Sequence, residues 1–251
     1  MFRKKKWLVV AFTGIGLFLF FHAKATFFVK NTIDFKLKPF MFITNQITNM
    51  GKRQQLFELA ASQSGYFTAK QAVQVGFSRR MHTYYKQNCL WLEINRGLFR
   101  LVQFPHSSNE DYVRLSLWSR NRADEPQAVF SHDSALAIHE LSDVMPAQFH
   151  ITVPLGFRKT IPKGCVFYKD AISPDEKELR EGFFVTTPLR TIVDSAESHL
   201  SIDYLEQAIQ EACDKGMIQL IDILSAEMST KARAKIMMIV KNMRARNGYG
   251  K

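Results

Sequence analysis

The sequence predicts an α+β protein, with an N-terminal winged helix-turn-helix followed by a mixed α/β domain. Three observations lead to this class. Helical and β-prone segments alternate after residue 50, a helix–glycine turn–helix pattern precedes a hairpin pattern, and the charge changes sign between the two parts. The chain has 251 residues, of which 46% are hydrophobic and 23% are charged. That composition suits one large or two modest domains and excludes a disordered, a collagen-like or a many-span membrane protein.

Charge divides the chain into four segments. Residues 1–49 hold eight basic residues and one acidic residue, residues 50–105 hold eight and two, residues 106–227 hold eleven and twenty, and residues 228–251 hold seven and none. The net charge of the whole chain is +11. An acidic segment between basic ones is typical of a polyanion-binding module joined to a second domain.

The first segment, residues 1–49, has the pattern of a targeting sequence. Four basic residues precede an uncharged run over 7–21, and small residues follow at the spacing of a signal-peptide cleavage site. The run has 15 residues, whereas a comfortable bilayer span needs about 20. Three interpretations stay open: an exported protein, a protein anchored in the inner membrane by residues 7–21, or a true translation start at Met41 or Met50.

The second segment, residues 50–105, has the pattern of a winged helix-turn-helix. Apolar residues at helical spacing predict a first helix that begins at Lys52. Thr68 is a candidate N-cap for a short second helix that ends at Gly76, and Ser78 is the candidate N-cap of a third helix. Two β-prone runs around an Asn-Arg-Gly turn then predict a hairpin, which would be the wing.

The basic residues of this pattern indicate binding to duplex DNA. The first turns of a recognition helix enter the major groove, where arginine can donate two hydrogen bonds to one guanine. We expect base or phosphate contacts from the third helix and the wing, while Met81 and Tyr84 pack in the core. The proposed DNA contacts are Arg79, Arg80, His82, Thr83, Lys86 and Arg96, and the possible phosphate contacts are Lys52, Arg53 and Lys70.

The third segment, residues 106–227, alternates helical and β-prone patterns. Its strands are recognised by β-branched and aromatic residues, and one of its helices by a proline at the first position. We expect helices at 110–120, after Ser131, from Pro188 and over 202–215, and strands at 128–130, 149–154, 164–168 and 183–186.

Two stretches of this segment resemble a known family. VFSHDSALAIHELSDVMPAQFHITVP over 129–154 and VTTPLRTIVDSAE over 185–197, after a winged helix, resemble the AbiEi-type antitoxins of type IV toxin–antitoxin systems. The resemblance covers about 55–225. It implies an N-terminal domain that represses its own operon and a C-terminal domain (106–227) that counteracts a nucleotidyltransferase-like toxin without a stable complex. Such antitoxins act in the cytoplasm, and the run over 7–21 departs from that pattern.

Catalytic patterns do not emerge from the second half of the sequence. His132 and His139 lack the H-E-x-x-H arrangement, and no candidate nucleophile lies beside a base. The sequence has three cysteines, Cys89, Cys165 and Cys213, which lie far apart. Their odd number and wide spacing disfavour disulfides and a cysteine-based zinc site. We therefore expect no enzymatic activity, no cofactor and no metal, and the alternative is a hydrolase- or nuclease-like effector with an unrecognised site.

Three residues of the second half are candidates for structural or antitoxin roles. Arg190 and Asp194 lie four residues apart on a predicted helix, where a salt bridge can tie this helix to the neighbouring sheet. His132 lies at a predicted helix start, where it can cap the helix or bond within the core.

The fourth segment, residues 228–251, predicts a basic amphipathic helix. It can bind nucleic acid, lie on a membrane, or pack on the body with its charges in water. The residue patterns predict binding to duplex DNA. The resemblance to AbiEi-type antitoxins implies a cytoplasmic transcriptional autorepressor and antitoxin, with operator DNA and a toxin as functional partners. A membrane-tethered winged-helix regulator is the alternative if residues 1–49 are genuine.

Overall fold

The computed structural model of the chain describes residues 51–246, which belong to one compact unit over 48–251. The α+β class is confirmed. Within the described range, no helix combines the length and the apolar character that crossing a bilayer requires. The predictions made for residues 1–49, including the run over 7–21, lie outside the described residues.

The first part of this unit consists of three helices and a small antiparallel sheet. Strand β3 lies in the middle of the sheet and pairs with both β1 and β2. Thr68 caps helix α2 through a capping box with Gln71, whereas Ser78 occupies the N-cap position of α3 without a side-chain hydrogen bond. The elements are α1 (51–61), β1 (Tyr66–Thr68), α2 (Ala69–Gln74), α3 (Arg79–Gln87), β2 (Trp91–Asn95) and β3 (Leu98–Leu101).

The second part is a five-stranded mixed sheet with helices packed against it. Its strand order is β6-β5-β4-β8-β7, with β5 parallel to β6, β4 parallel to β8, and antiparallel pairing between β4 and β5 and between β7 and β8. The elements are α4 (Glu110–Ser119), β4 (Val129–Phe130), α5 (His132–His139), β5 (Phe149–Val153), β6 (Cys165–Lys169), a 3₁₀ turn (Pro174–Glu176), β7 (Lys177–Arg180) and β8 (Phe183–Thr186).

Four further helices complete the unit: α6 (Pro188–Glu197), α7 (Ile202–Asp214), α8 (Leu220–Ser225) and α9 (Thr230–Arg246). Helix α9 buries Ile236 and Ile239 in a cluster that includes Ile192 and Leu205, while its Lys231 and Lys241 are exposed. Of the three interpretations of the basic tail, the structure therefore shows the one in which the helix packs on the body and keeps charges in water.

The two parts share a core. Tyr66 and Leu98 of the first part belong to the same buried cluster as Val113 and Phe130 of the second. The Lys70 ammonium also donates to the carbonyl of Arg122, at 2.9 Å. The boundary predicted near residue 105 therefore lies in a packed interface rather than in a linker.

Candidate functional site

Helix α3 presents a polar, basic face to solvent. Arg79, Arg80, Thr83, Tyr84 and Gln87 are all exposed. Residues three and four apart lie on the same side of a helix, so these side chains form one continuous surface.

The opposite face of α3 contacts the hairpin, and His82 belongs to it. The His82 side chain is buried, with its ring centroid 5.3 Å from that of Trp91 and 5.7 Å from that of Phe99. Burial lowers the pKa of His82, an effect that the charge of Arg79 reinforces. His82 therefore packs α3 onto the sheet, and the prediction that it contacts DNA is wrong because its side chain is buried.

The way α3 is rotated about its axis also shows that the prediction of a core position for Tyr84 is wrong. Its side chain is 56% exposed, whereas Tyr85 is buried and stacks on Trp91 with ring centroids 4.8 Å apart. Met81 is half-buried, as expected for a residue at the edge of the packed face. Tyr84 therefore joins the exposed face beside Thr83.

The basic residues near this face differ in whether they form an ion pair with a carboxylate. In the described part of the chain, Arg79, Arg80 and Arg96 are exposed and make no ion pair with a carboxylate. Lys86 pairs with Glu93 of β2 at 2.7 Å, and its hydrogen bond lowers the pKa of that carboxyl. Three guanidinium groups without an ion pair in the described residues therefore face solvent, on α3 and at the turn between β2 and β3.

The possible phosphate contacts each have a partner within the fold. The Lys52 side chain lies over Gly76, and Arg53 Nε donates to the Tyr85 hydroxyl at 3.3 Å. Lys70 donates to a backbone carbonyl, as described above. These contacts join each side chain to a neighbouring part of the fold, while Arg53 and Lys70 remain exposed.

A second candidate site is a cleft of about 1000 Å³ beside the start of α6. The two sequence stretches singled out above meet there: His132 and Thr152 come from 129–154, and Arg190 and Asp194 come from 185–197. Strand β6 and the turn before β7 supply further polar wall that no sequence motif indicated: Tyr168, Asp170, Asp175 and Glu176.

Arg190 is held by three carboxylates at one end of this cleft. Its Nε is 2.7 Å from Asp194 Oδ1, its Nη1 is 2.9 Å from Glu176 Oε1, and its Nη2 is 2.5 Å from Asp170 Oδ2. The predicted contact between Arg190 and Asp194 is present. Because Asp170 follows β6 and Glu176 precedes β7, the side chain ties α6 to both edge strands of the sheet.

Asp194 is the buried member of this cluster, with 8% of its side chain exposed. Burial raises the pKa of the carboxyl to about 6, and the charge and hydrogen bond of Arg190 oppose this rise only in part. Its second oxygen, Oδ2, is buried and has no hydrogen-bond partner in the described structure. An unpartnered buried acceptor of this kind is uncommon in folded proteins.

His132 lines the same cleft as a neutral ring. Its backbone adopts a left-handed conformation with φ of 51°, and its imidazole stacks on Tyr168 with centroids 3.6 Å apart and planes 10° apart. Burial, reinforced by the charges of His150 and Arg190, lowers its pKa to about 3. A hydrogen bond of 2.9 Å joins His132 Nδ1 to the Ser131 hydroxyl, so this residue anchors the start of α5.

Among residues 51–246, no group of three or more histidine, cysteine, aspartate or glutamate side chains is arranged to hold a metal ion. Comparison with family models and with curated proteins finds no match. Among solved structures, the chain is similar to the RV2827C protein from Mycobacterium tuberculosis, at 13% identity and a TM-score of 0.49 over 76% of each chain. A similarity this distant supports no inference about function.

Proposed function

We propose that residues 51–104 are a winged helix-turn-helix that binds duplex DNA, and that the chain is a transcriptional autorepressor. The order α1-β1-α2-α3-β2-β3, with β3 between β1 and β2, supports this proposal. In this arrangement α3 enters the major groove and the turn between β2 and β3 reaches an adjacent groove or the phosphates.

The observation that carries the proposal is the exposed basic face of α3. Arg79 and Arg80 lie at its first turn, free of ion pairs, and Thr83 follows one turn later. An unpaired guanidinium group can bind guanine N7 and O6 or a phosphate without first breaking an internal salt bridge. The proposed contacts are therefore Arg79, Arg80, Thr83, Tyr84 and Arg96, with Lys86 shared with Glu93.

We further propose that residues 106–227 carry an antitoxin activity that counteracts a nucleotidyltransferase-like toxin in the cytoplasm, without enzymatic chemistry. The resemblance of 129–154 and 185–197 to AbiEi-type antitoxins supports this part of the proposal. The segment holds twenty acidic and eleven basic residues, so it repels phosphate as a whole and is unsuited to be the main DNA anchor.

DNA binding is tested with the full chain and a duplex from the region upstream of its own coding sequence. Fluorescence anisotropy should show that the Arg79→Ala/Arg80→Ala variant binds at least tenfold more weakly, since one bidentate base contact contributes about 1–3 kcal/mol. The matched control is Lys231→Ala/Lys241→Ala, which removes the same charge from exposed positions of α9. Unchanged affinity in a folded Arg79/Arg80 variant would overturn the assignment.

The antitoxin activity is tested by co-expression with a nucleotidyltransferase-like toxin, the functional partner that the proposal requires. The intact chain should rescue growth and repress the promoter, whereas the Arg79→Ala/Arg80→Ala variant should rescue growth without repressing it. Full-length variants are needed because the two parts share a core. Loss of rescue in the double variant would show that the two activities are not separable.

A further inference from the structure

We propose that the cleft beside α6 binds an organic cation, a ligand that carries a primary ammonium or a guanidinium group. The cleft belongs to the second part of the chain, away from the proposed DNA contacts of α3. Its charge, the hydrogen bonds of its carboxylates and its size all favour such a ligand.

The charge of the cleft is strongly negative. Two basic side chains line it, Lys169 and Arg190, and Arg190 is engaged with carboxylates on all three of its nitrogens. The acidic side chains that line it are Asp170, Asp175, Glu176, Asp194, Glu197 and Glu227. A phosphate or carboxylate ligand would be repelled here, whereas a cation would be attracted.

The hydrogen bonds of the three carboxylates around Arg190 leave one acceptor open. The second oxygen of Asp170 accepts from the backbone N–H of Ala171 at 2.8 Å. The second oxygen of Glu176 accepts from the backbone N–H and the hydroxyl of Ser173, both at 2.9 Å. Oδ2 of Asp194 has no partner, although its side chain is more than nine-tenths buried and lines the cleft.

An N–H donor from a ligand would complete this set. A charged donor suits it best, because the three carboxylates outweigh the single guanidinium group of Arg190 and a charge-assisted hydrogen bond is about twice as strong as a neutral one. The neighbouring His132 is neutral, so it adds no competing positive charge. Oδ2 has almost no accessible surface in the described structure, so a donor in the cleft reaches it only when the Asp194 side chain turns slightly toward the cleft.

The size and walls of the cleft suit an organic ligand. Its volume of about 1000 Å³ is at the upper end of small-molecule sites and far exceeds the space of a bare ion. Leu189, Val193 and Met228 supply apolar wall, against which the methylene chain of a polyamine or of an arginine or lysine side chain can lie. The same chemistry serves a free polyamine and a basic side chain of a partner protein.

Isothermal titration calorimetry on the full chain tests the proposal at pH 7.5. The probes are spermidine, which represents a free polyamine, and Nα-acetylarginine methylamide, which represents a side chain of a partner. Inorganic phosphate is the counter-probe. We expect one site for at least one of the cations and none for phosphate, and the tighter of the two cations identifies the source.

Two variants separate the site from general electrostatic attraction. Asp194→Asn keeps the shape of the side chain and should weaken cation binding at least tenfold. Asp175→Asn removes the same charge from an exposed position of the same cleft and should change the affinity by less than about threefold, because an exposed charge is screened. Equal losses in the two variants, or an absence of cation binding at millimolar concentration, would overturn the proposal.

A measurement on the unmodified chain covers the case in which Asp194→Asn does not fold. The groups that face Asp194 are Arg190, Asp170, Glu176 and Tyr168. Since the pKa of Asp194 is raised to about 6 while that of Glu176 is lowered, a proton should compete with the cation at Asp194 first. Affinity should fall about tenfold between pH 7.5 and pH 5, and a pH-independent affinity would contradict the role of Asp194.

Discussion

Arg100 Nη2 and Glu110 Oε1 lie 3.1 Å apart, in an ion pair that joins strand β3 to helix α4. The Arg100 side chain is 5% exposed and that of Glu110 is 17% exposed. Glu110 also accepts a hydrogen bond from the Tyr66 hydroxyl at 3.0 Å. This pair therefore links the proposed DNA-binding part to the rest of the unit at a position with little exposure to solvent.

Replacing one partner of this pair should destabilise the whole unit. Glu110→Gln leaves the buried guanidinium group of Arg100 without a counter-charge, which costs about 3 kcal/mol in the free energy of unfolding. The control is Asp111→Asn on the same helix, whose partner Arg114 is exposed, so that its loss costs less than about 1 kcal/mol. Urea denaturation measures both, and equal effects would show that the buried pair does not join the two parts.

The turn between β7 and β8 makes a second contact between the parts, at Gly182. A Cβ atom there would lie 2.9 Å from the carbonyl oxygen of Ser62 and 3.1 Å from Cα of Gln63. Gly182→Ala should therefore cost about 1 kcal/mol for its left-handed backbone plus a further 1–3 kcal/mol for overpacking.

The control for Gly182 is Gly164→Ala. Gly164 has a similar φ of 80°, and no atom lies within 4 Å of its added Cβ, so only the backbone strain applies. In thermal unfolding, the melting temperature of Gly182→Ala should be well below that of Gly164→Ala. Equal melting temperatures would mean that the residues at the end of α1 move aside without cost.

The raised pKa of Asp194 predicts a pH-dependent stability. Because the folded state holds this proton more tightly than the unfolded state, the contribution is present below about pH 3.8 and is lost as the pH rises through about 6. A difference of about 2 pKa units corresponds to about 3 kcal/mol. Unfolding free energies of Asp194→Asn relative to the natural chain should therefore rise by about 3 kcal/mol between pH 3.5 and pH 7.

The exposed Asp175→Asn variant serves as the control for this pH dependence. Its profile should run parallel to that of the natural chain, because it leaves Asp194 in place. A profile of Asp194→Asn that also runs parallel would show that Asp194 ionises with an ordinary pKa.

The pair between Lys86 and Glu93 limits the positive charge of the α3 surface. Both side chains are more than a third exposed, so the pair itself contributes little to stability. Glu93→Gln should release Lys86 for a phosphate, raise DNA affinity about threefold and steepen its salt dependence by about one unit of slope. Anisotropy titrations at several salt concentrations measure this, and a weaker affinity would place Lys86 away from the DNA.

Local signals predicted most of the secondary structure. The N-cap at Thr68, the strands Phe149–Val153 and Phe183–Thr186, and the helix from Pro188 all lie where their residue types predict them. The three-residue strand β1 and the charged strand β7 escaped prediction. Strand β1 is too short for an alternating pattern, and both depend on pairing with strands distant in the sequence.

The sequence by itself determined the α+β class, most of the helices and strands and the basic character of α3, because caps, periodicity and charge act over a few residues. Only the tertiary structure decided which side of α3 is buried, since His82 and Tyr85 pack against Trp91, which comes from a strand that follows α3 in the sequence. It also decided that Asp170 and Glu176 meet Arg190. These carboxylates are brought to α6 by the sheet order, and the free energy of burying Asp194 beside Arg190 exists only once the chain is packed.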